Sequence, residues 1–231
     1  MTKQKIIIDC DPGIDDTLAL LYALKHPNLE VVAITIVAGN CPTDIGVKNT
    51  FTSLELLDRL DVPVYQGAST PLTRDYISAQ DTHGMDGLGE NNFQLKHTPH
   101  IQDKSAEQFL ADYFKAPTDT SIIALGPLTN IAKALELNPK LGENCHRFVS
   151  MGGNFKSHGN CSPVAEYNYW CDPHAAQITF ERLGRKVEMV GLDVTRHIVL
   201  TPNHLEYMSR INAEMTAFIT KITRFYFDFH W

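Results

Sequence analysis

Short apolar runs alternate with longer helix-like stretches along most of the chain. Ile6-Ile7-Ile8 lies between Lys5 and Asp9, and Pro12-Gly13 separates it from an apolar-rich stretch at residues 17–24. That is a strand, a turn and a helix in order. His26-Pro27-Asn28 ends the helix, because proline disfavours the helical conformation in the residue before it. A nearly continuous apolar run follows at residues 31–37, and such runs suit a parallel sheet covered on both faces. Further strands are predicted at 62–65, 121–125, 147–151 and 187–192, with helices at about 44–60, 105–113 and 128–137. Asp172-Pro173 opens another helix, and residues 202–231 read as mostly helical. Two polar stretches, 67–100 and 152–163, show weak periodicity and read as long loops.

The βαβα order predicts an α/β fold with a mostly parallel open sheet and helices on both faces, Rossmann-like in plan. A chain of 231 residues fits one such domain, 1–231. Open α/β sheets bind ligands beyond the carboxyl ends of their strands. Residues 9–16, Asn40, 125–129 and 151–168 all fall just after predicted strands and are expected to converge on one crevice.

Composition narrows the partners. The net charge of −7, from 20 basic and 27 acidic residues, disfavours a nucleic-acid partner, which needs a basic surface. Residues 6–8 are too short for a signal-peptide core, and no run reaches the roughly 18 apolar residues of a membrane span. A cytoplasmic protein with no membrane partner is therefore expected. The five cysteines include no CxxC pair, which points to free thiols rather than a disulfide framework or a zinc site.

The densest chemistry is Asp9, Asp11, Asp15 and Asp16, four carboxylates within eight residues. Helix capping and the helix dipole account for one or two of them. The others repel one another unless protons or a cation intervene. A hard divalent ion, Ca²⁺ or Mg²⁺, is the natural neutraliser because both prefer oxygen ligands. An aspartyl phosphatase also places a DxD after its first strand. That pattern continues with Gly-Thr or Gly-Val, whereas Pro12-Gly13 and Asp15-Asp16 follow here.

The ordered blocks resemble the inosine-uridine preferring nucleoside hydrolases over essentially the whole chain. They are DCDPGIDD at 9–16, VAGN at 37–40, HGMDGLG at 83–89, LGPLTNIA at 125–132, MGG at 151–153, GNCSPVAEYN at 159–168, Asp172-Pro173 and GLDVT at 191–195. The resemblance implies hydrolysis of the N-glycosidic bond of purine and/or pyrimidine ribonucleosides to ribose and free base. It implies Ca²⁺ held by Asp11, Asp16 and the Leu125 carbonyl, with Asp11 as general base on a calcium-bound water. It also implies ribose contacts from Asp15, Asn40, Asn160, Glu166 and Asn168, with Met151 against the sugar and Asp9 behind. His83 would stand beside the leaving base, as a candidate acid. Homodimers or homotetramers are expected by the same likeness.

Other residues divide between site and scaffold. Asn130 is expected to brace the Leu125 turn, Asp193 to act structurally near the site, and Cys10 to be a buried spacer. Tyr167 and Trp170 read as core. The late aromatics Phe225, Tyr226, Phe227, Phe229 and Trp231 have the spacing of a packed helix face and read as core, with one of them lining the base pocket as the lesser alternative. Relative to the family, the chain reads as C-terminally incomplete, without the late block whose aspartate completes the calcium shell. That reading carries two further expectations: weakened turnover with exposed edges and self-association, or a non-catalytic nucleoside- or ribose-binding protein. A Mg²⁺-dependent phosphatase is the more distant alternative.

Overall fold

The computed structural model describes residues 3–230, with residue 230 described by its backbone only. Its strands are β1 (Gln4–Cys10), β2 (Leu29–Ile36), β3 (Val64–Gln66), β4 (Ser121–Ala124), β5 (Phe148–Met151) and β6 (Val187–Val190). The helices between β1 and β4 are α1 (Ile14–Lys25), α2 (Thr43–Leu56), α3 (Gln80–His83) and α4 (Ala106–Tyr113). Then come α5 (Thr129–Leu137), α6 (Leu141–Asn144), α7 (Tyr167–Cys171), α8 (Pro173–Arg182), α9 (Leu192–Thr195), α10 (Pro202–Ser209) and α11 (Ala213–His230).

The strands form one six-stranded sheet in the order β3-β2-β1-β4-β5-β6, and every ladder is parallel. β1 lies between β2 and β4, so the winding direction reverses beside it. This is the switch point at which open α/β sheets form a ligand crevice. The alternation of β1 explains its central place. Ile7 points into a core with Leu110, Phe114, Ile131 and Phe148 on one face. Ile6, Ile8 and Cys10 point into a second core with Leu20, Leu24, Ile34 and Leu54 on the other. A strand buried on both faces needs an unbroken apolar run, and residues 6–8 supply it.

A third cluster joins Ile14 and Leu21 of α1 to Phe218, Ile219 and Ile222 of α11, with Leu88 of the irregular stretch between them. The α11 aromatics split: Tyr226 and Phe227 pack on this cluster, while Phe229 is exposed. Trp231 lies outside the described residues.

Three local expectations change. α2 stops at Leu56 because Asp58 turns to a positive φ of 53°, which a right-handed helix cannot continue. The stretch at 67–100 contains a single helical turn, α3. α7 was hidden because its N-cap is Glu166, whose side chain accepts from Asn168 N and Tyr169 N; Ser, Thr, Asp and Asn are the usual signals. Among the described residues no helix is long and apolar enough to cross a membrane.

Candidate active site

The carboxyl end of β1 delivers the acidic run into the crevice. Asp9, Asp11 and Asp16 are buried, while the Asp15 side chain remains 61% exposed. Asp9 Oδ1 accepts from Thr35 Oγ1 at 2.5 Å and from Asn130 Nδ2 at 2.8 Å. Asp11 Oδ2 accepts from Asn40 N at 2.7 Å. Asp16 Oδ2 accepts from Asn40 Nδ2 at 2.9 Å and from Gly13 N at 3.4 Å. Asn40 therefore holds two carboxylates at once, through its main chain and its side chain. Two glycines make room for Asp11. A Cβ on Gly39 would overlap Asp11 Oδ2, and one on Gly126 would stand 2.5 Å from Oδ1.

The second oxygens of these groups decide what the site can hold. Asp9 Oδ2, Asp11 Oδ1 and Asp16 Oδ1 are buried without a hydrogen-bond partner. No lysine or arginine pairs with these three aspartates among the described residues. Burial pushes the Asp9 carboxyl up to about 7, against its bonds from Asn130 and Thr35. Burial and then the charge of Asp15 push Asp16 to about 7. Burial followed by the charge of Asp16 drives Asp11 well above the usual carboxylate range. Buried carboxylates without counter-charge bind either protons or a cation.

The Leu125 carbonyl lies at the end of β4, whose register with β1 pairs Asp9 with Ala124; Leu125 N donates to the Asp9 carbonyl at 2.7 Å. Leu125 O accepts from Asn168 Nδ2 at 2.7 Å, and that nitrogen also lies 3.1 Å from Met151 O. A carbonyl oxygen has two lone pairs, so one stays open. Among the described residues no three His, Cys, Asp or Glu side chains gather as a metal cluster. A cation here would rest on Asp11, Asp16 and the Leu125 carbonyl, an all-oxygen set with open lone pairs that suits a hard ion.

The structure brings most of the expected residues together and gives several a scaffold task. Glu166 is buried; Oε1 accepts from Asn168 N, and Oε2 from Gly153 N and Tyr169 N. Burial still raises its carboxyl above the ordinary value. Asn160 is exposed and its Oδ1 accepts from Tyr167 N. Asn130 braces a wider junction than the Leu125 turn: it reaches Asp9 Oδ1, Ile36 O and Ala68 N. Asp193 fastens Phe155 N and Lys156 N. Cys10 is fully buried, and the cysteines are free thiols.

His83 is buried at the start of α1, where its Nδ1 accepts from Ile14 N at 3.1 Å and lies 4.0 Å from Asp15. An accepting Nδ1 carries no proton, so a neutral ring places its hydrogen on Nε2. The Tyr226 ring is 5.4 Å from His83. Tyr167 and Trp170 depart from the core reading. Both are half-buried; the Tyr167 hydroxyl donates to Gly39 O, and Arg74 stacks on the Trp170 ring. Sequence reasoning also passed over Thr35 and Asn49. Asn49 ties Pro12 O to Asp86 O. Thr35 left a signal, a polar residue inside an otherwise apolar run.

The family model described as "Inosine-uridine preferring nucleoside hydrolase" matches residues 6–231. The chain belongs to this family. The "Probable uridine nucleosidase 2" of Arabidopsis thaliana is 36% identical over 231 residues, 99% of this chain and 71% of that protein. The "Pyrimidine-specific ribonucleoside hydrolase RihB" of Escherichia coli O1:K1 is 36% identical over 97% of this chain and 71% of its own length. Among solved structures, the plant nucleoside hydrolase PpNRh1 superposes with a TM-score of 0.92 at 36% identity, covering 98% of this chain and 72% of that one. A purine-preferring ribonucleoside hydrolase from Gardnerella vaginalis gives 0.88 at 36% identity, over 96% and 71%. These likenesses make the chain a nucleoside hydrolase with the family's α/β fold.

Proposed function

We propose that this nucleoside hydrolase cleaves purine and pyrimidine ribonucleosides, with Asp11 as general base and Ca²⁺ as its cofactor. The observation that carries the reading is the pair of buried, unpartnered oxygens on Asp11 and Asp16, with Asp11 Oδ1 close against Gly126, the residue after the Leu125 carbonyl. Asp11, Asp16 and Leu125 would hold the ion, an all-oxygen set of the kind that hard cations prefer. When bound, it supplies positive charge that orients the ribose diol and acidifies the attacking water.

The remaining chemistry belongs to side chains. Asp11 takes the proton from water, held in place by Asn40 N. Cleavage builds positive charge on the sugar, and the carboxylates of Asp15 and Glu166 on the crevice wall favour that charge. Asn40, Asn160 and Asn168 offer the ribose hydroxyls amide groups, and Met151 packs against the ring. His83 and Tyr226 border the leaving base, with Nε2–H of a neutral His83 as the donor. The same reading places the protein in the cytoplasm as a homodimer or homotetramer.

Ribose release from inosine and uridine, with and without chelator, tests this. Asp11→Asn is expected to lower kcat by about 10²- to 10⁴-fold, and chelation to suppress turnover reversibly. Full activity in chelator, or in Asp11→Asn, would overturn the assignment. Ribose binding without any turnover would replace it with a binding protein.

A further inference from the structure

Two tyrosines from separate segments converge on one peptide unit of the site. Tyr76, in the irregular stretch, donates its hydroxyl to Gly39 O at 3.0 Å. Tyr167, at the start of α7, donates to the same oxygen at 2.8 Å and approaches Ile77 O at 3.1 Å. Burial pushes both phenols well above their ordinary value, so both remain O–H donors. The peptide that carries Gly39 O also carries Asn40 N–H, and that N–H donates to Asp11 Oδ2 at 2.7 Å.

A peptide unit is planar, so fixing its C=O fixes the direction of its N–H. Donation to the carbonyl also polarises the unit and strengthens the N–H as a donor. Gly39 has no side chain to steady the turn, and none fits, because a Cβ there would overlap Asp11 Oδ2. The two hydroxyls occupy both lone pairs of the carbonyl from two directions. They supply from outside the rigidity that the glycine lacks.

We infer that Tyr76 and Tyr167 are paired positioning residues that aim the Asp11 carboxylate through the Gly39–Asn40 peptide, linking the irregular stretch and α7 to the acidic centre. The inference rests on Asp11 being the group that takes the proton. Either hydroxyl alone still holds the peptide, so the pair is redundant in part.

Steady-state kinetics on Tyr76→Phe, Tyr167→Phe and the double variant test it, with Tyr113→Phe as control. Tyr113 bonds Thr120 Oγ1 far from the crevice, and its loss should leave kcat unchanged. Each single change is expected to lower kcat about threefold and the double at least about thirtyfold, more than the product, with KM for inosine or uridine within about twofold. Thermal melts establish that the variants are folded; if the double variant does not fold, the kcat-against-KM split of the singles decides. A double variant with near wild-type kcat, or a rise in KM at unchanged kcat, overturns the positioning role. An active Asp11→Asn instead overturns the underlying assignment of the base, a separate and distinguishable failure.

Discussion

Metal-stripped protein should lose stability as pH rises from about 4 to 7, the reverse of most acid-sensitive proteins. The cause is the trio of buried aspartates. The Asp9 carboxyl moves from 3.8 to about 7 on folding because burial disfavours its charge. A raised carboxylate binds protons more tightly in the folded state, so stability is full below the unfolded value and is lost as pH climbs through the folded one. At about 1.4 kcal/mol per unit, the interval from 3.8 to about 7 sets a ceiling of about 4 kcal/mol for Asp9. Asp16 shifts in the same direction to about 7, and Asp11 likewise upward. Their mutual repulsion makes the three contributions non-additive. Asp61, Asp193 and Glu188 are held below their ordinary range by Arg59, by the Phe155 and Lys156 amides, and by Arg147. Their effect has the opposite sign and falls below the window. Urea denaturation in chelator at steps from pH 4.5 to 7.5 measures the slope, and Asp9→Asn should flatten it. Calcium should flatten it further by keeping Asp11 and Asp16 ionised at lower pH. A stability that is level or rising across the window in chelator, or an Asp9→Asn slope equal to wild type, would refute the reasoning.

Three other perturbations separate scaffold from site. Gly39→Ala forces a methyl into Asp11 Oδ2; turnover should fall by at least about tenfold with a stability loss of about 1–3 kcal/mol, read by kinetics and thermal melting. Asn130→Ala leaves the Asp9 carboxylate, Ile36 O and Ala68 N without their shared partner and should cost about 3 kcal/mol in urea titration. Asp172→Ala removes the group that caps α8 at Ala175 N and also joins Leu72 N to Thr129 Oγ1. A loss of about 2 kcal/mol at unchanged KM is expected.

The sheet was legible because its signal is local. Residues 6–8, 31–37 and 121–125 are apolar runs, and the structure buries them on both faces of adjacent parallel strands. The acidic run was legible as a site for a related reason: four carboxylates after a strand demand an explanation that capping alone does not give. What the sequence could not show is tertiary bookkeeping. Nothing around Asn130 tells that one amide joins the ends of β1 and β2 to Ala68. Nothing around Glu166 tells that both oxygens serve three main-chain amides. The stretch at 67–100 lacked periodicity because its order comes from distant contacts, such as His83 to Ile14 N and Leu88 to α11.

Those distant contacts explain how a cluster of buried acids is tolerated. Each of the three buried aspartates has one oxygen bound by a donor from another segment: Thr35 and Asn130 for Asp9, Asn40 for Asp11 and Asp16. Each also keeps one buried oxygen bare. A purely structural cluster would satisfy both oxygens, since every bare buried acceptor costs about 1–3 kcal/mol. The fold instead spends strength elsewhere, in two apolar cores flanking β1, to hold incompletely satisfied carboxyl groups at the switch point. A cation or a proton would give the bare oxygens of Asp11 and Asp16 a partner, and would then link ligand binding and folding stability at the same atoms. Removing the cation is therefore expected to lower the melting temperature at pH 7.5 more than at pH 5, where protons already serve.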